Sequence, residues 1–383
     1  MRGFKSDFKL LFLLFLSWKV VTLVIAFIAI SFVPLVGKNF LGGGFEKYLT
    51  NPFLFAWANF DGEHYLSIAQ IGYRGLEQAF FPLYPSLMKI LTLPFGANVY
   101  SLTISGILIS NICFFGSLLT FWKLIRLDFD KKIALFTVIT ILVFPTSFYF
   151  GAVYSESVFL FLSLASFYFA RQKRWFLAGV FGMVASTTRI FGIILLPAFL
   201  IEAWQQKQPI HKIFWIMFIP LGLLSYMYYQ WITVGDPLAF YHLQKIVGPQ
   251  HESGITLLPQ VYVRYVKMFF SVEMSNPIFQ TLILEFFIGM LFFLLPIYGI
   301  FKKVGLSLRL SYLFYALVGF LLPTIQGSFS SVPRYVIILF PSFLVLAIIL
   351  HKLPKLLRGL ILMLSLAWMF VELTLFLRGY WVA

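Results

Sequence analysis

The sequence predicts an all-α, polytopic membrane protein, on three observations. Apolar residues make up 61% of the 383 residues and charged residues only 11%, and the mean hydropathy is +0.92. These values lie far outside the range of a soluble domain. Apolar runs long enough to cross a hydrocarbon core of about 30 Å recur along the chain. Lysines and arginines fall in short clusters between those runs. In a soluble protein the net charge of +15 would point to nucleic acid. Here it reads as membrane topology, and no nucleic-acid partner is expected.

The runs lie at 10–33, 101–123, 133–150, 213–234, 278–301, 306–323, 335–350 and 359–377, with a shorter one at 156–170, about nine full spans. The first has no small-x-small cleavage site before Pro34 and reads as a retained anchor. Arg2/Lys5/Lys9, Lys123/Arg126/Lys131/Lys132, Arg171/Lys173/Arg174, Lys207/Lys212, Lys302/Lys303/Arg309 and Lys352/Lys355/Arg358 form the basic clusters. Placing all six inside gives one consistent threading with the N-terminus inside. Segments 34–100, 151–156, 235–277 and 324–334 then lie outside. The piece 175–201 has basic residues at both flanks and two apolar stretches around Thr187-Thr188-Arg189. It predicts a helical hairpin that enters and leaves from the inside, carrying Arg189 roughly 20 Å into the membrane at ~1.5 Å per residue. Pro82, Pro85 and Pro94 make 81–95 a short interfacial helix. With no repeat, low-complexity tract or long linker, residues 1–383 form a single membrane domain, with an outer loop at 34–100 and a second at 235–277. The single cysteine, Cys113, excludes an intramolecular disulfide.

Chemistry is concentrated just past the first run, in Asn59-Phe60-Asp61-Gly62-Glu63-His64-Tyr65. Residues 59–71 read as an amphipathic interfacial helix. Asp61 lies in its first turn, where the helix dipole favours an ionised carboxylate, and His64 is within reach of it. Such a carboxylate suits a general base for an alcohol acceptor. The bland alternative is that Asn59 and Asp61 only cap the helix. Arg189, deep in the bilayer, needs a polar cavity or a partner; Glu156 is the candidate for a structural ion pair. Arg334, in Ser331-Val332-Pro333-Arg334-Tyr335, opens a span where the helix dipole disfavours a cation. Together with the free N–H groups of that turn it would bind an anion; an ordinary interfacial anchor is the alternative.

Weaker candidates are Ser155 and Glu156 at an outer turn, Asp236 in Gly235-Asp236-Pro237, and Lys245, Arg264 and Lys267 in the second outer loop. Asp236 is first of all a turn residue. Glu285 and Glu372 fall inside spans, without a partner that the sequence names. The five histidines show no metal-ligand spacing, and no phosphate loop, nucleophile elbow or HExxH appears. No metal, cofactor or nucleotide site is expected.

Asp61-Gly62-Glu63-His64-Tyr65-Leu66-Ser67-Ile68-Ala69, Gly72-Tyr73 and Ala79-Phe80-Phe81-Pro82-Leu83-Tyr84-Pro85 together resemble the GPI mannosyltransferase 2 (PIG-V) family, of the GT-C class of multispanning glycosyltransferases. The resemblance continues through Phe144-Pro145-Thr146-Ser147, Tyr154-Ser155-Glu156-Ser157, Thr188-Arg189-x-x-Gly192 and Pro333-Arg334-Tyr335. Where the family usually has Arg-Trp before the aspartate, this chain has Asn59-Phe60, and its short loops look more like a prokaryotic relative. The resemblance implies a GT-C-like fold and transfer of a sugar, mannose first, from a polyprenyl-phosphate carrier to a lipid or glycan hydroxyl on the non-cytoplasmic side. It implies Asp61 as the catalytic residue and Glu63, His64, Tyr84, Glu156, Arg189, Arg334 and Tyr335 as substrate contacts. Arg189 and Arg334 would serve from opposite sides of one outer cavity. A single base without a separate nucleophile implies inversion. The expected setting is a prokaryotic plasma membrane, with the endoplasmic reticulum membrane as the alternative. Another polyprenyl-phosphate sugar is an alternative donor. The alternative from a different class is a transporter or flippase of lipid-linked sugars, running along Arg189, Glu285 and Glu372.

Overall fold

The computed structural model describes residues 2–243, 256–302 and 308–382, and among them all regular structure is helical. Lys5–Phe32, Val99–Ile125, Ile210–Val234, Pro277–Phe301 and Lys355–Leu377 are long and apolar enough to cross a membrane. A sixth span results if Val332–Ile338 and Phe340–Lys352 are taken as one broken crossing. The other expected runs are shorter or interrupted, and prolines explain two of them. The 133–150 run becomes a helix over Lys131–Leu142 and a 3-10 turn over Ser147–Gly151, because Pro145 and the residue before it disfavour helix. The 335–350 run breaks at Leu339, just ahead of Pro341, and resumes as Phe340–Lys352. In the 175–201 piece, helices Trp175–Ser186 and Leu195–Gln205 are separated at Thr187–Arg189 and by a 3-10 turn over Ile190–Ile194. The 81–95 segment is helical over Leu83–Thr92 and stops before Pro94.

The chain divides into two compact units. The first comprises Met1–Gly72, Tyr84–Leu164 and Phe343–Tyr380. Its centre is aromatic: Phe114 stacks on Phe150 with ring centroids 4.4 Å apart and meets Trp18 edge-on at 4.9 Å. Phe148 lies 5.2 Å from Phe376. Trp18 donates its indole N–H to Ser147 Oγ (3.2 Å), as a buried indole requires. Helix starts follow capping chemistry: Asn98 accepts from the Ser101 amide (3.0 Å) and Asp130 from the Ile133 amide (2.9 Å).

The second unit comprises Tyr73–Leu83, Ala165–Ser342 and Trp381–Ala383. Glycines let the helix Trp175–Ser186 and the span Ile210–Val234 meet backbone to backbone. A Cβ at Gly179 would fall 2.0 Å from the Trp215 carbonyl oxygen, and one at Gly222 would fall 2.1 Å from that of Met183. Such small-residue seams are a common way for membrane helices to associate. Ser186 crosses the seam, donating to the Ile219 carbonyl (2.5 Å). A buried carboxylate ties this unit together. Glu202, fully buried, pairs with Arg171 Nε (3.3 Å) and Arg309 Nη2 (3.1 Å). It also accepts from Ser311 Oγ (2.6 Å) and Gln206 Nε2 (2.6 Å). The sequence reading took Arg171 and Arg309 as topological charges only; both are also partners in this ion-paired core.

Candidate functional site

In the first unit the helix carrying the acidic motif runs over Asp61–Ile71, two residues shorter than expected. Its N-cap is Phe60, whose side chain makes no cap hydrogen bond. Asn59 lies ahead of the cap, and the capping alternative gives way to another role for it. Its fully buried side chain accepts from the Gly42 amide (3.0 Å) and donates to the carbonyls of Phe376 (2.9 Å) and Leu377 (3.3 Å). Tyr154 donates its hydroxyl to the Asn59 carbonyl (2.9 Å). These bonds pin the chain immediately ahead of Phe60, whose backbone sits at φ 56°, ψ −117°. Such a conformation costs a non-glycine residue about 1–3 kcal/mol and persists only when its surroundings over-determine it. The Phe60 amide bonds the Phe40 carbonyl (2.8 Å), and the two rings stack at 6.5 Å. Asp61 follows directly, half-buried in the first turn with Glu63.

Burial raises the Glu63 carboxyl above its usual range, and neighbouring His64 partly offsets this. Tyr65 is buried, shares a hydrogen bond with Ser155 Oγ (2.9 Å) and meets the Tyr84 ring edge-on at 5.0 Å. Tyr84 is fully buried; its hydroxyl donates to the Gly106 carbonyl (3.0 Å) and hydrogen-bonds Ser110 (2.8 Å). Burial holds that phenol well above its ordinary value, and the nearby Glu156 charge adds to the effect. Glu156, with no exposed surface, opens the helix Glu156–Arg171. The motif blocks at 59–65, 84 and 154–156 thus come together, with Tyr65 and Tyr154 stitching one to another.

In the second unit Arg189, Arg334 and Tyr335 are brought together. Arg189 lies over the Tyr335 ring at 5.5 Å and over Phe191 at 5.8 Å. Arg334 lies over the same Tyr335 ring at 5.1 Å, and its Nη2 donates to the Tyr335 hydroxyl at 3.4 Å. Two guanidinium groups on one aromatic ring are a strong local concentration of positive charge. Local backbone explains both placements. Gly192 sits where a Cβ would fall 2.4 Å from the Ser186 Cα, so the chain can turn back and leave Arg189 extended (φ −157°, ψ 150°) at the start of the 3-10 turn. Arg334 is nearly buried (6% exposed) in the four-residue helix Val332–Tyr335.

One expectation at Arg334 is corrected. The first turn offers no free amides: Val332 donates to Phe329, Arg334 and Tyr335 both donate to Ser331, and Pro333 has no N–H. The turn itself leaves only the guanidinium groups as donors toward an anion. Sequence reasoning also missed what positions this turn. Glu285 Oε1 accepts from the Ser331 amide (3.2 Å) and its Oε2 from Tyr265 OH (2.6 Å), holding Ser331 at φ 62°. The intramembrane glutamate was visible as an oddity, but only the fold names its partners. Glu372 likewise accepts from Trp368 Nε1 (3.1 Å).

Among the weaker candidates, Asp236 closes its own turn, accepting from the Leu238 amide (2.9 Å) and pairing with His242 (2.7 Å). The His242 hydrogen bond, first, holds its carboxyl below the usual value. Arg264 donates to the Gly327 carbonyl (3.1 Å), Lys267 is exposed, and Lys245 lies outside the described residues. Among the described residues no three of His, Cys, Asp and Glu form a group suited to a metal ion.

Comparison with known proteins gives a family. A family model described as mannosyltransferase (PIG-V) matches residues 9–227, which is more than half of the chain. No curated protein sequence matches significantly. Among solved structures, ArnT from Cupriavidus metallidurans bound to undecaprenyl phosphate is similar with TM-score 0.49 and 15% identity, over 88% of this chain and 60% of that one. The oligosaccharyltransferase of Archaeoglobus fulgidus, tethered with an acceptor peptide containing the NVT sequon, is similar with TM-score 0.47 and 15% identity, over 96% and 55%. AglB from Archaeoglobus fulgidus, in complex with an inhibitory peptide and a dolichol-phosphate, gives TM-score 0.47 and 13% identity, over 96% and 56%. The chain thus spans at most 60% of the length of these solved chains.

Proposed function

Because the chain belongs to the mannosyltransferase (PIG-V) family, we propose that it is an inverting glycosyltransferase that moves mannose from a polyprenyl-phosphate carrier to an acceptor hydroxyl on the non-cytoplasmic side of its membrane. The observation that carries this reading is the seating of Arg189 and Arg334 on the single ring of Tyr335. When the sugar leaves, negative charge grows on the carrier phosphate, and preset cations stabilise that charge most where water is excluded. Arginine suits the task because its planar fork grips phosphate with two parallel donors. Asp61 takes the acceptor proton as the hydroxyl attacks the anomeric carbon from the face opposite the departing phosphate. One displacement without a covalent intermediate inverts the configuration, so a β-linked donor gives an α-linked product. Glu63, His64 and Glu156 are the polar groups through which this reading has the acceptor and sugar hydroxyls held. Tyr84 packs edge-on against Tyr65, which hydrogen-bonds Ser155 beside Glu156. The acceptor is a lipid or glycan, and the setting is a prokaryotic plasma membrane.

The test supplies purified protein with labelled polyprenyl-phosphate-mannose and membrane lipids and follows donor consumption. Turnover is expected with this donor. Asp61→Asn should lower it by about 10²–10⁴-fold while donor binding is kept, because the amide preserves shape and loses only the base. Turnover with GDP-mannose alone would overturn the proposal, as would unaltered turnover by the asparagine variant.

A further inference from the structure

The second unit carries a feature that the transfer reaction does not use: a cleft of about 680 Å³ at the start of the Trp175–Ser186 helix. Its walls are basic and aromatic. Lys173, Arg174, His211 and Lys212 line it together with Trp175 and Trp215, and among the described residues no acidic side chain does. Two properties point to a ligand. The first is charge: Lys173, Arg174, His211 and Lys212 are all exposed and line the same cleft, so their fields add over it. The second is the helix start itself, where the first amides lack intrahelical acceptors and attract an anion.

Where the cleft lies decides the source of the anion. His211, Lys212 and Trp215 sit at the beginning of Ile210–Val234, a helix long and apolar enough to cross a membrane. Basic and tryptophan side chains at the end of such a helix mark the headgroup level. From there Met217, Leu221, Leu224 and Tyr228 continue along the same helix, all exposed, at spacings of three and four residues that form one apolar stripe. A head group in the cleft would have its acyl chain laid along that stripe. A bilayer covers the exposed face of a spanning helix in any case, so it is the headgroup-level position of the basic and tryptophan side chains that favours a lipid over free phosphate. We propose that the cleft binds the phosphate head group of an anionic phospholipid, with one acyl chain running along the outward stripe of the Ile210–Val234 helix.

The experiment uses the full-length protein in detergent, with lipid retention read by native mass spectrometry. Phosphatidylglycerol, phosphatidylcholine and inorganic phosphate are offered separately and in competition. Wild type should retain phosphatidylglycerol in preference to phosphatidylcholine, and inorganic phosphate should compete poorly. Each basic side chain near a membrane surface strengthens anion binding about fivefold, so Arg174→Gln/Lys212→Gln should weaken phosphatidylglycerol retention by about twentyfold and leave phosphatidylcholine unchanged. Lys132→Gln, an exposed charge in the first unit, should have no effect. Thermal unfolding of each variant is recorded in parallel; if the double variant fails to fold, Lys212→Gln alone serves, since Lys212 is exposed. Equal retention of the two lipids, or an unchanged preference in the folded charge variant, would overturn the proposal. Inorganic phosphate displacing the lipid at equal concentration would show a free-anion site instead.

Discussion

At Tyr335 two positive charges share a ring, and the sharing sets how each arginine responds to substitution. A lysine at 334 keeps the charge but loses the flat fork that stacks on the ring and grips phosphate. If Arg334 contacts the carrier phosphate as proposed, Arg334→Lys should lower donor turnover thirty- to a thousandfold, about 2–4 kcal/mol of transition-state stabilisation. Near-normal turnover would leave Arg334 as a packing residue. Glu63 gives a second residue-level prediction, and its sign follows from its raised pKa. The fold favours the protonated carboxyl, so the associated stability is fully present below the ordinary value of 4.5 and is lost as pH rises through the shifted one. Glu63→Gln cannot ionise, so its melting temperature should fall less between acidic and neutral pH than that of wild type. Identical slopes would mean that Glu63 is better solvated than its burial suggests.

Helices show where the sequence could and could not be read. The five long apolar helices correspond to runs visible from hydropathy alone, because twenty apolar residues have few alternatives in lipid. The interrupted runs were harder, since a hydropathy window averages over Pro145 and Pro341 although each breaks the backbone ladder. Arg189 could be singled out because charge inside an apolar segment stands out by its cost, Arg334 because a cation at a helix start opposes the dipole, and Tyr335 only through the Pro333-Arg334-Tyr335 resemblance. Their meeting on one ring could not, because it depends on a turn that only Gly192 permits and on a carboxylate from another helix. Asn59 was hidden for a similar reason: a buried amide binding three distant backbone groups looks in sequence like a helix cap. Glu285 is the element whose loss should spread furthest. Glu285→Ala would leave the Ser331 amide without its side-chain acceptor and the Tyr265 hydroxyl with only the long bond to Ser328 Oγ (3.5 Å), at a cost of about 2–5 kcal/mol. Glu285→Gln retains an acceptor oxygen and should cost less. Thermal unfolding in one detergent distinguishes them, and equal melting temperatures would show that Ser331 does not depend on this carboxylate.

On the scale of the whole chain, the distribution of lysine and arginine makes a topological prediction. Cysteines introduced singly on a Cys113→Ala background should be labelled at position 63 only from the non-cytoplasmic side and at positions 173 and 355 only from the cytoplasm. Labelling of 63 from the cytoplasm alone would reverse the threading and the proposed side of the reaction. The Glu202 centre adds a dimension of time. Arg171 is synthesised before the carboxylate, but Arg309 follows it by about a hundred residues, or roughly five to twenty seconds at ordinary elongation rates. Until then Glu202 has one arginine where the finished protein gives it two. During that interval the nascent chain carries a carboxylate that still lacks two of its donors, Arg309 and Ser311, and chaperones and quality-control proteases can act on it. Lesions at Arg309 should therefore reduce the amount of protein that reaches the membrane far more than the turnover of the molecules that arrive.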